Sequence, residues 1–347
     1  MNETKISVII PCYNVSKYVD RCIQSLVSQS FGIDNIEIIC VDDVSTDNTV
    51  EKLLQWEQKY PDNIIVVRSG TNGRQGAARN IGLSYASCAW VAFVDSDDWV
   101  EPDYLEILYE KTCIEELDMV CCETVRDVHD ELYFLSDKER AAGKREGIIA
   151  IEDMEQRKGL ILCNGIDFTV YSKLIRKEFL LGNMIMFPEG VVYEDIYWGS
   201  LINFYIRKAY IIGLRLYHYY VNSNSTVLNR DADYHTDILT VNSMLWREVI
   251  NRGFWESYSA EIEYEFFYSA VMTFTKALIL RFERPPYSLY RLLNAFAWDH
   301  VPDYRDNLYF QSEDFPELHK LILEGVYMGL DKESFNAWAE NIRRIGV

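Results

Sequence analysis

The stretch ISVIIPCYNVSKYVDRCIQSLVSQSFGIDNIEIICVDD, residues 6–43, predicts one strand–helix–strand unit. The β-branched run Ile6–Ile10 ends at Pro11, as expected for a strand that is buried on both faces. Apolar side chains then recur at helical spacing between residues 15 and 30, and Ile36–Val41 is a second β-branched run. Two parallel strands joined by a helix are the repeating unit of a doubly wound α/β sheet.

The alternation of strand and helix patterns continues beyond this stretch. Further strands are predicted at Ile64–Val67, Trp90–Val94 and Met119–Cys122, each preceded by a helical pattern. Glu123–Ala150 is polar and charged and is interpreted as a mobile insertion, and helical patterns dominate beyond Asn229. We therefore predict an α/β domain over residues 1–222, with a mostly parallel sheet flanked by helices, and a mainly helical C-terminal domain over residues 223–347.

The composition is that of a globular protein, since 49% of the 347 residues are hydrophobic and 25% are charged. Acidic residues outnumber Lys and Arg by 54 to 34, and the resulting charge of −20 argues against a nucleic-acid partner because it repels phosphates. The longest apolar run, Ala209–Val221, is interrupted by Arg215 and His218 and is too short to span a bilayer. The N-terminus lacks an export signal and the eight cysteines form no Cys-x-x-Cys pair, so a cytoplasmic protein with reduced thiols is expected.

Four unusual polar clusters follow predicted strands or precede the helix after a strand. They are Pro11-Cys12-Tyr13-Asn14, Asp42-Asp43-Val44-Ser45, Gly73–Asn80 and Asp95-Ser96-Asp97-Asp98. Ligands of parallel α/β sheets bind beyond the carboxyl ends of the strands, so we expect the four clusters along one edge of the sheet.

The acidic cluster Asp95–Asp98 is the strongest of the four. Its three carboxylates repel one another at the end of a buried strand, and a divalent cation relieves that repulsion. Oxygen ligands suit Mg²⁺ or Mn²⁺. The alternative is an acidic loop that caps the helix following Pro102.

The other clusters contain candidate nucleotide contacts. Asp42 and Asp43 could accept hydrogen bonds from a base N–H or from ribose hydroxyls, whereas helix capping is sufficient to explain Ser45. Gly73–Asn80 combines a flexible backbone, two arginines and a helix N-terminus, which suits a diphosphate. It does not match the dinucleotide-binding or P-loop patterns.

Three features later in the chain each have a structural alternative. Glu194 and Asp195 open a predicted helix, where acids are favourable through the helix dipole alone. Lys173 could face a diphosphate or could be a solvated lysine at the start of a helical pattern. The mixture of basic and aromatic residues over 276–291 could contact an anionic membrane surface or a lipid-linked acceptor, or could be a rim of solvated charges.

Five motifs, PCYN, VDDVSTDNT, GRQGAARNIGL, VDSDDW and YEDIYW, occur in the order and rough spacing of family 2 glycosyltransferases. The chain resembles this family over about residues 4–205. Its N-x-G-R-Q-G-A-A-R-N-x-G run and its E-D-x-x-W motif resemble the subgroup that builds bacterial capsular, exopolysaccharide and lipopolysaccharide chains. The resemblance implies an inverting enzyme with the Rossmann-like GT-A fold that uses a nucleotide sugar.

The resemblance also implies roles for individual residues. A nucleotide site would be lined by Pro11, Tyr13, Asn14, Asp42, Asp43, Arg79, Asp95 and Asp97. Within that site, Asp43 would accept a hydrogen bond from uracil N3 with support from Asp42, and Arg79 would reach the nucleotide or diphosphate. Asp97 and Asp98 are the candidate ligands of Mn²⁺ or Mg²⁺, and the choice between them stays open. Asp195 matches the catalytic base.

The predicted reaction is transfer of a sugar to a hydroxyl of a glycan or lipid-linked acceptor, and the resemblance favours a UDP-sugar as the donor. A sugar-phosphate nucleotidyltransferase is one alternative, but it would show G-x-G-x-R where PCYN stands. A non-catalytic nucleotide-sugar-binding module is the other, and it would not need Asp195. Residues 223–347 are the candidate region for contacts with the acceptor, with a membrane surface or with a second copy of the chain. The expected location of the protein is the cytoplasm, at the inner face of the membrane.

Overall fold

The structure is a computed structural model that describes residues 5–141, 146–163, 166, 169–221 and 228–346, without the side chain of Cys163. Two compact units are distinguished. The sheet unit comprises Met1–Met154, Asp167–Gly190 and Tyr205–Asn222, and the helical unit comprises Glu155–Ile166, Val191–Phe204 and Ser223–Val347. Residues 155–166 and 191–204 thus pack with the C-terminal helices. The predicted domain boundary after residue 222 lies outside the described residues and stays a prediction.

The sheet unit contains nine strands in the described residues. They are β1 (Ile6–Cys12), β2 (Ile36–Asp42), β3 (Ile64–Arg68), β4 (Trp90–Phe93), β5 (Trp99–Val100), β6 (Met119–Asp127), β7 (Gly147–Ala150), β8 (Lys173–Arg176) and β9 (Lys208–Tyr220). Their order is β3-β2-β1-β4-β8-β6-β9-β5, with β7 also paired to β9. The strands β3-β2-β1-β4 are parallel, as is the β6–β9 pair, whereas β8, β5 and β7 run antiparallel to their neighbours.

Fourteen α-helices lie in the described residues. They are α1 (Val19–Val27), α2 (Thr49–Lys59), α3 (Arg74–Tyr85), α4 (Tyr104–Lys111), α5 (Asp137–Arg140), α6 (Met154–Cys163), α7 (Lys177–Gly182), α8 (Glu194–Tyr205), α9 (Asp237–Asn251), α10 (Trp255–Phe266), α11 (Thr273–Leu280), α12 (Tyr287–His300), α13 (Glu317–Tyr327) and α14 (Lys332–Ile345). None of them is both long and apolar enough to cross a membrane.

Apolar periodicity explains how the helices of the sheet unit pack. Val19, Cys22, Ile23 and Leu26 lie on one stripe of α1 and are fully buried in a core shared with β1 and β2. Close approach of α3 to β1 requires glycine, because a Cβ atom at Gly82 would lie 2.3 Å from Ile9 Cγ2.

Two segments differ from the prediction. The interpretation of Glu123–Ala150 as an insertion is wrong for its two ends, which belong to β6 and β7, while residues 142–145 lie outside the described residues. Beyond Cys122, β6 no longer has β8 as a neighbour, so its residues are less buried and need not be apolar. The helical pattern that begins near Lys173 contains a four-residue strand, β8, too short to give a periodic signal.

A buried carboxyl group lies in the core of the helical unit. The oxygens of Glu265, on α10, lie 3.3 Å and 3.2 Å from the hydroxyls of Ser200 and Ser269. A small cavity beside it is lined mainly by apolar side chains, among them Phe204 and Trp246. Burial raises the pKa of Glu265 to about 7, and the two hydroxyl contacts offset only part of this effect.

The free energy of unfolding should therefore depend on Glu265 between pH 5 and 7. In this interval the folded protein keeps the proton that the unfolded chain has released, so raising the pH favours unfolding by about 1.4 kcal/mol per pH unit. We expect Glu265→Gln to remove this slope, as measured by urea denaturation at several pH values. The control is Glu256→Gln at the exposed start of the same helix. Equal slopes in the wild type and Glu265→Gln would contradict the expectation.

Candidate functional site

An acidic turn, residues 95–98, joins β4 to β5. The hydroxyl of Tyr217, on β9, accepts the Asp95 N–H at 3.0 Å and donates to Asp98 Oδ2 at 2.7 Å. The Tyr220 N–H donates to Asp98 Oδ1 at 2.7 Å. Both oxygens of Asp98 are thus hydrogen-bonded inside the protein, and the residue is only 1% exposed. Asp98 therefore stabilises the turn through internal hydrogen bonds. Because both of its oxygens are used in this way, it is poorly placed for the predicted role of a metal ligand.

The three carboxyl groups of the turn have different surroundings. Burial raises the pKa of Asp98 well above its usual range, and the charges of Asp97 and Asp95 raise it further. Asp95 forms an ion pair with Arg79, whose Nη2 lies 2.8 Å from Asp95 Oδ1. The side chain of Arg79 is 3% exposed, and its guanidinium lies against Asp95; its contact with the nucleotide or diphosphate stays a prediction. Asp97 is half-buried.

Arg21, on α1, fixes the backbone of the same turn. Its Nη2 donates to the Asp97 carbonyl at 2.7 Å and its Nη1 to the His129 carbonyl at 2.6 Å. The guanidinium carbon lies 4.0 Å and 4.5 Å from the ring centroids of Trp99 and Tyr220, which hold its orientation. Arg21 was not among the predicted site residues. No sequence signal marks it, because Arg21 lies outside the apolar stripe of α1.

A fully buried histidine lies beside the acidic turn. His218 Nε2 is 2.7 Å from Glu101 Oε1, its Nδ1 is 3.0 Å from Asp127 Oδ2, and its ring stacks on Trp99 with centroids 4.6 Å apart. Burial tends to raise the pKa of Asp127, but hydrogen bonds, the largest from Tyr133, hold it well below its usual range. The end of β9 thus supplies Tyr217 and His218 to the surroundings of the acidic turn. The sequence pattern of β9 indicates only an apolar run.

The end of β2 carries the candidate base-recognition carboxylate. Asp43 Oδ1 accepts the Gly73 N–H at 2.9 Å, and the Asn72 side chain donates to the Asp43 carbonyl at 3.0 Å. Asp43 Oδ2 has no hydrogen-bond donor among the residues that the structure describes. Tyr13 lies at the end of the neighbouring strand β1, after the buried Pro11, and is 51% exposed. A carboxylate oxygen and an exposed aromatic ring are suitable for recognising a flat heterocycle with an N–H group.

Asn14 and Asp42 hold the loops of this edge together. The φ angle of Asn14 is 54°, and its Oδ1 accepts the Thr46 N–H at 2.8 Å. Its own N–H donates to Ser45 Oγ at 3.0 Å. Both Asp42 oxygens lie 3.3 Å from the Ser45 N atom. The side chains of both residues are therefore engaged in loop structure, although the resemblance placed Asn14 in the nucleoside pocket.

The Gly-rich segment packs against a second loop of the sheet unit. A Cβ atom at Gly76 would lie 2.2 Å from the Pro188 carbonyl oxygen, and the Gly190 N–H donates to the Gly73 carbonyl at 3.0 Å. The Asn80 side chain donates to the Phe187 carbonyl at 2.9 Å and accepts the Phe187 N–H at 3.0 Å. Glycine at position 76 is thus explained by close packing at the start of α3.

Lys173 is buried at the start of β8. Its Nζ donates to the Thr169 carbonyl at 2.6 Å and to Thr169 Oγ1 at 2.8 Å, with the Tyr171 carbonyl at 3.4 Å. The side chain is 2% exposed. The alternative of a solvated lysine at a helix start is therefore wrong.

Asp195 belongs to the helical unit, where it lies in the first turn of α8. It is half-buried, and its Oδ1 accepts the Ile196 N–H at 3.1 Å. The preceding Glu194 is buried. In the basic and aromatic stretch over 276–291, Lys276, Arg284 and Arg291 are exposed, and membrane contact by this stretch stays a prediction.

The fit of the acidic turn to a divalent cation depends on how many ligands the protein must supply. Among the described residues, no group of three or more His, Cys, Asp or Glu side chains is arranged to hold a metal ion. Mg²⁺ sites for nucleotides commonly take only one or two carboxylates from the protein and the remaining ligands from phosphates and water. Asp97 lies in the turn between β4 and β5, and its single carboxylate fits such a site.

Comparison with known proteins identifies relatives over much of the chain. A family model described as glycosyl transferase family 2 matches residues 7–180, half of the chain. The chain is 29% identical to YibD of Escherichia coli (strain K12), an uncharacterized glycosyltransferase, over 264 residues that cover 73% of each protein. It is 40% identical over 101 residues to the poly(ribitol-phosphate) beta-glucosyltransferase of Bacillus spizizenii, an alignment that covers 29% of this chain and 16% of that protein.

Among solved structures, the chain is similar to residues 1–349 of S. aureus TarS in complex with UDP-GlcNAc. The TM-score is 0.68 and the sequence identity is 21%, with 98% of this chain and 92% of that chain covered. This similarity shows a shared GT-A fold and confirms the predicted fold class.

Proposed function

Since the chain belongs to glycosyl transferase family 2, we propose that it is an inverting enzyme that transfers a sugar from a UDP-sugar to an acceptor hydroxyl in surface polysaccharide synthesis. One observation carries the proposal. The ends of β1, β2 and β4 are neighbours in register, so Tyr13, Asp43 and the acidic turn lie along one edge of the sheet. That edge is where parallel α/β sheets bind nucleotides.

In this proposal the nucleoside binds at the ends of β1 and β2. Asp43 Oδ2 accepts the N3–H of uracil, while its Oδ1 keeps the hydrogen bond to Gly73. The exposed ring of Tyr13 stacks on the base. The similar structure of TarS is a complex with UDP-GlcNAc, which supports a uridine nucleotide as the ligand here.

Asp97 would hold Mg²⁺ or Mn²⁺ together with the diphosphate, and the bound ion would supply positive charge to the departing nucleoside diphosphate. Asp98 and Arg21 keep the turn in place for this role, through the contacts of Asp98 with β9 and of Arg21 with the Asp97 carbonyl. Asp95 stays paired with Arg79 and is available to the ribose through its remaining acceptor capacity.

Asp195 is proposed as the general base. Its carboxylate takes the proton of the acceptor hydroxyl while that oxygen forms a bond to the anomeric carbon of the donor sugar. The bond from the anomeric carbon to the diphosphate oxygen breaks at the same time, and its electron pair leaves with UDP. Attack from the face opposite the leaving group inverts the anomeric centre.

The acceptor is proposed to be a glycan or a lipid-linked chain at the inner face of the membrane. The similarity to a poly(ribitol-phosphate) beta-glucosyltransferase supports a polymeric cell-surface acceptor. The helical C-terminal residues 223–347 are the proposed region for acceptor, membrane-surface or homodimer contacts.

Donor binding tests this proposal. We expect UDP and one or more UDP-sugars to raise the melting temperature in the presence of Mn²⁺, because ligand at a hundred times its dissociation constant adds about 2.7 kcal/mol of apparent stability. GDP and TDP should have smaller effects. Release of UDP from the stabilising donor should then be much faster with an acceptor than without one.

Two results would point to the alternative functions. Formation of pyrophosphate from UTP and a sugar 1-phosphate would indicate a nucleotidyltransferase. Tight binding of a UDP-sugar without transfer to any surface glycan, and without slow hydrolysis, would indicate a binding module.

A further inference from the structure

The residue before α8 has an unusual backbone conformation. Tyr193 has a φ angle of 68°, in the left-handed region that non-glycine residues seldom adopt. Its carbonyl accepts the Ile196 N–H at 3.2 Å, so Tyr193 begins the helix that carries Asp195. Such a conformation costs of the order of 1–3 kcal/mol and persists only where surrounding contacts enforce it.

A buried histidine provides one of these contacts. The Tyr193 hydroxyl lies 2.7 Å from His235 Nδ1, and His235 Nε2 lies 2.8 Å from the Asn229 carbonyl oxygen. A carbonyl oxygen only accepts, so Nε2 carries a proton. In the neutral ring Nδ1 is then the acceptor, and the Tyr193 hydroxyl donates to it. His235 is fully buried.

A second contact holds the preceding residue. The Val192 N–H donates to Asp237 Oδ2 at 3.0 Å, at the first residue of α9. The two residues before α8 are therefore both tied to the segment 235–237. Burial raises the pKa of Tyr193; the charge of Arg281 opposes this effect, and the charge of Asp195 is among those that add to it. The hydroxyl thus keeps its proton and lies within electrostatic range of the Asp195 carboxylate.

We propose that Tyr193 and His235 are a positioning pair that sets the orientation of Asp195 for proton removal. The inference rests on the proposed function, in which Asp195 is the base. The hydrogen bond between the pair maintains the left-handed turn, and the turn determines how the first residues of α8 are directed. A carboxylate displaced by about 1 Å from its productive position can lose roughly 100-fold in rate.

The test compares Tyr193→Phe with a matched variant on the same helix. Tyr193→Phe keeps the ring and removes the hydroxyl, and we expect kcat to fall about 10- to 100-fold with the donor dissociation constant unchanged within about twofold. Tyr197→Phe is the control, because Tyr197 is also half-buried on α8 and its hydroxyl has no hydrogen bond in the described part of the chain. It should retain wild-type kcat. His235→Gln, which has both an acceptor and a donor, should lose less activity than His235→Ala.

A double-mutant cycle separates positioning from a general structural effect. If Tyr193 acts through Asp195, Tyr193→Phe should cause little further loss in an Asp195→Asn background. Equal losses in both backgrounds, or wild-type kcat in Tyr193→Phe, would overturn the inference. Wild-type turnover of Asp195→Asn alone would instead refute the part of the proposed function that assigns Asp195 as the base. The two failures are therefore distinguishable.

Discussion

Asp195→Asn should lose about 10²- to 10⁴-fold in the rate of sugar transfer, the usual contribution of a general base. The amide is isosteric with the carboxylate but cannot take the proton of the acceptor hydroxyl. It can still accept the Ile196 N–H, which Asp195 Oδ1 accepts at 3.1 Å, so the start of α8 should remain intact. Initial rates of UDP release with acceptor measure the loss.

Donor binding provides the control for this variant. Because the proposed donor contacts lie on the sheet unit and Asp195 on the helical unit, the thermal shift with UDP and Mn²⁺ should be the same as in the wild type. Asp233→Asn, at an exposed position in the helical unit, should keep full activity. Normal turnover of Asp195→Asn would refute the assignment of the base.

Asp97→Asn and Asp98→Asn should have different effects, although the two residues are adjacent. Removal of the Asp97 carboxylate takes away the proposed protein ligand of the cation, and we expect turnover to fall by at least about 10²-fold. Donor binding should also lose its dependence on Mn²⁺. Asp98→Asn removes a carboxylate whose two oxygens are already hydrogen-bonded to Tyr217 and Tyr220, so its main effect should be on stability.

Titration of donor binding with Mn²⁺ distinguishes the two variants. Asp98→Asn should keep the Mn²⁺ dependence of the wild type and melt at a changed temperature. The opposite result, in which Asp98→Asn loses the dependence and Asp97→Asn keeps it, would show that the contacts of Asp98 rearrange to bind the ion. The sequence alone left this choice open.

The parallel half of the sheet was predictable because its signals are local. Each of β1 to β4 is a short β-branched or apolar run, and the polar clusters lie at the ends of these runs or within a few residues of them. Strand adjacency then brings Asp43 and the acidic turn to one edge, as the rule for parallel sheets requires.

The residues that hold the acidic turn in place were not predictable, because their contacts are between segments far apart in the sequence. Tyr217 and Asp98 are separated by 119 residues and meet only because β9 pairs with β5. Arg21 lies outside the apolar stripe of α1, and the Asn14 side chain accepts a hydrogen bond from loop backbone, so no periodic pattern marks either residue. Contacts between residues far apart in the chain depend on which strands pair with one another. The hydrophobic pattern of a single sequence does not reveal that pairing.

The hydrogen bonds from β9 to the acidic turn limit where the chain can be truncated. The family match ends at residue 180, whereas the strand that supplies Tyr217 and Tyr220 begins at Lys208. A fragment cut at the family boundary would keep every recognisable motif before that point and still lack the hydrogen bonds that shape the turn. During translation, likewise, the nascent chain could form these hydrogen bonds only after β9 has left the ribosome.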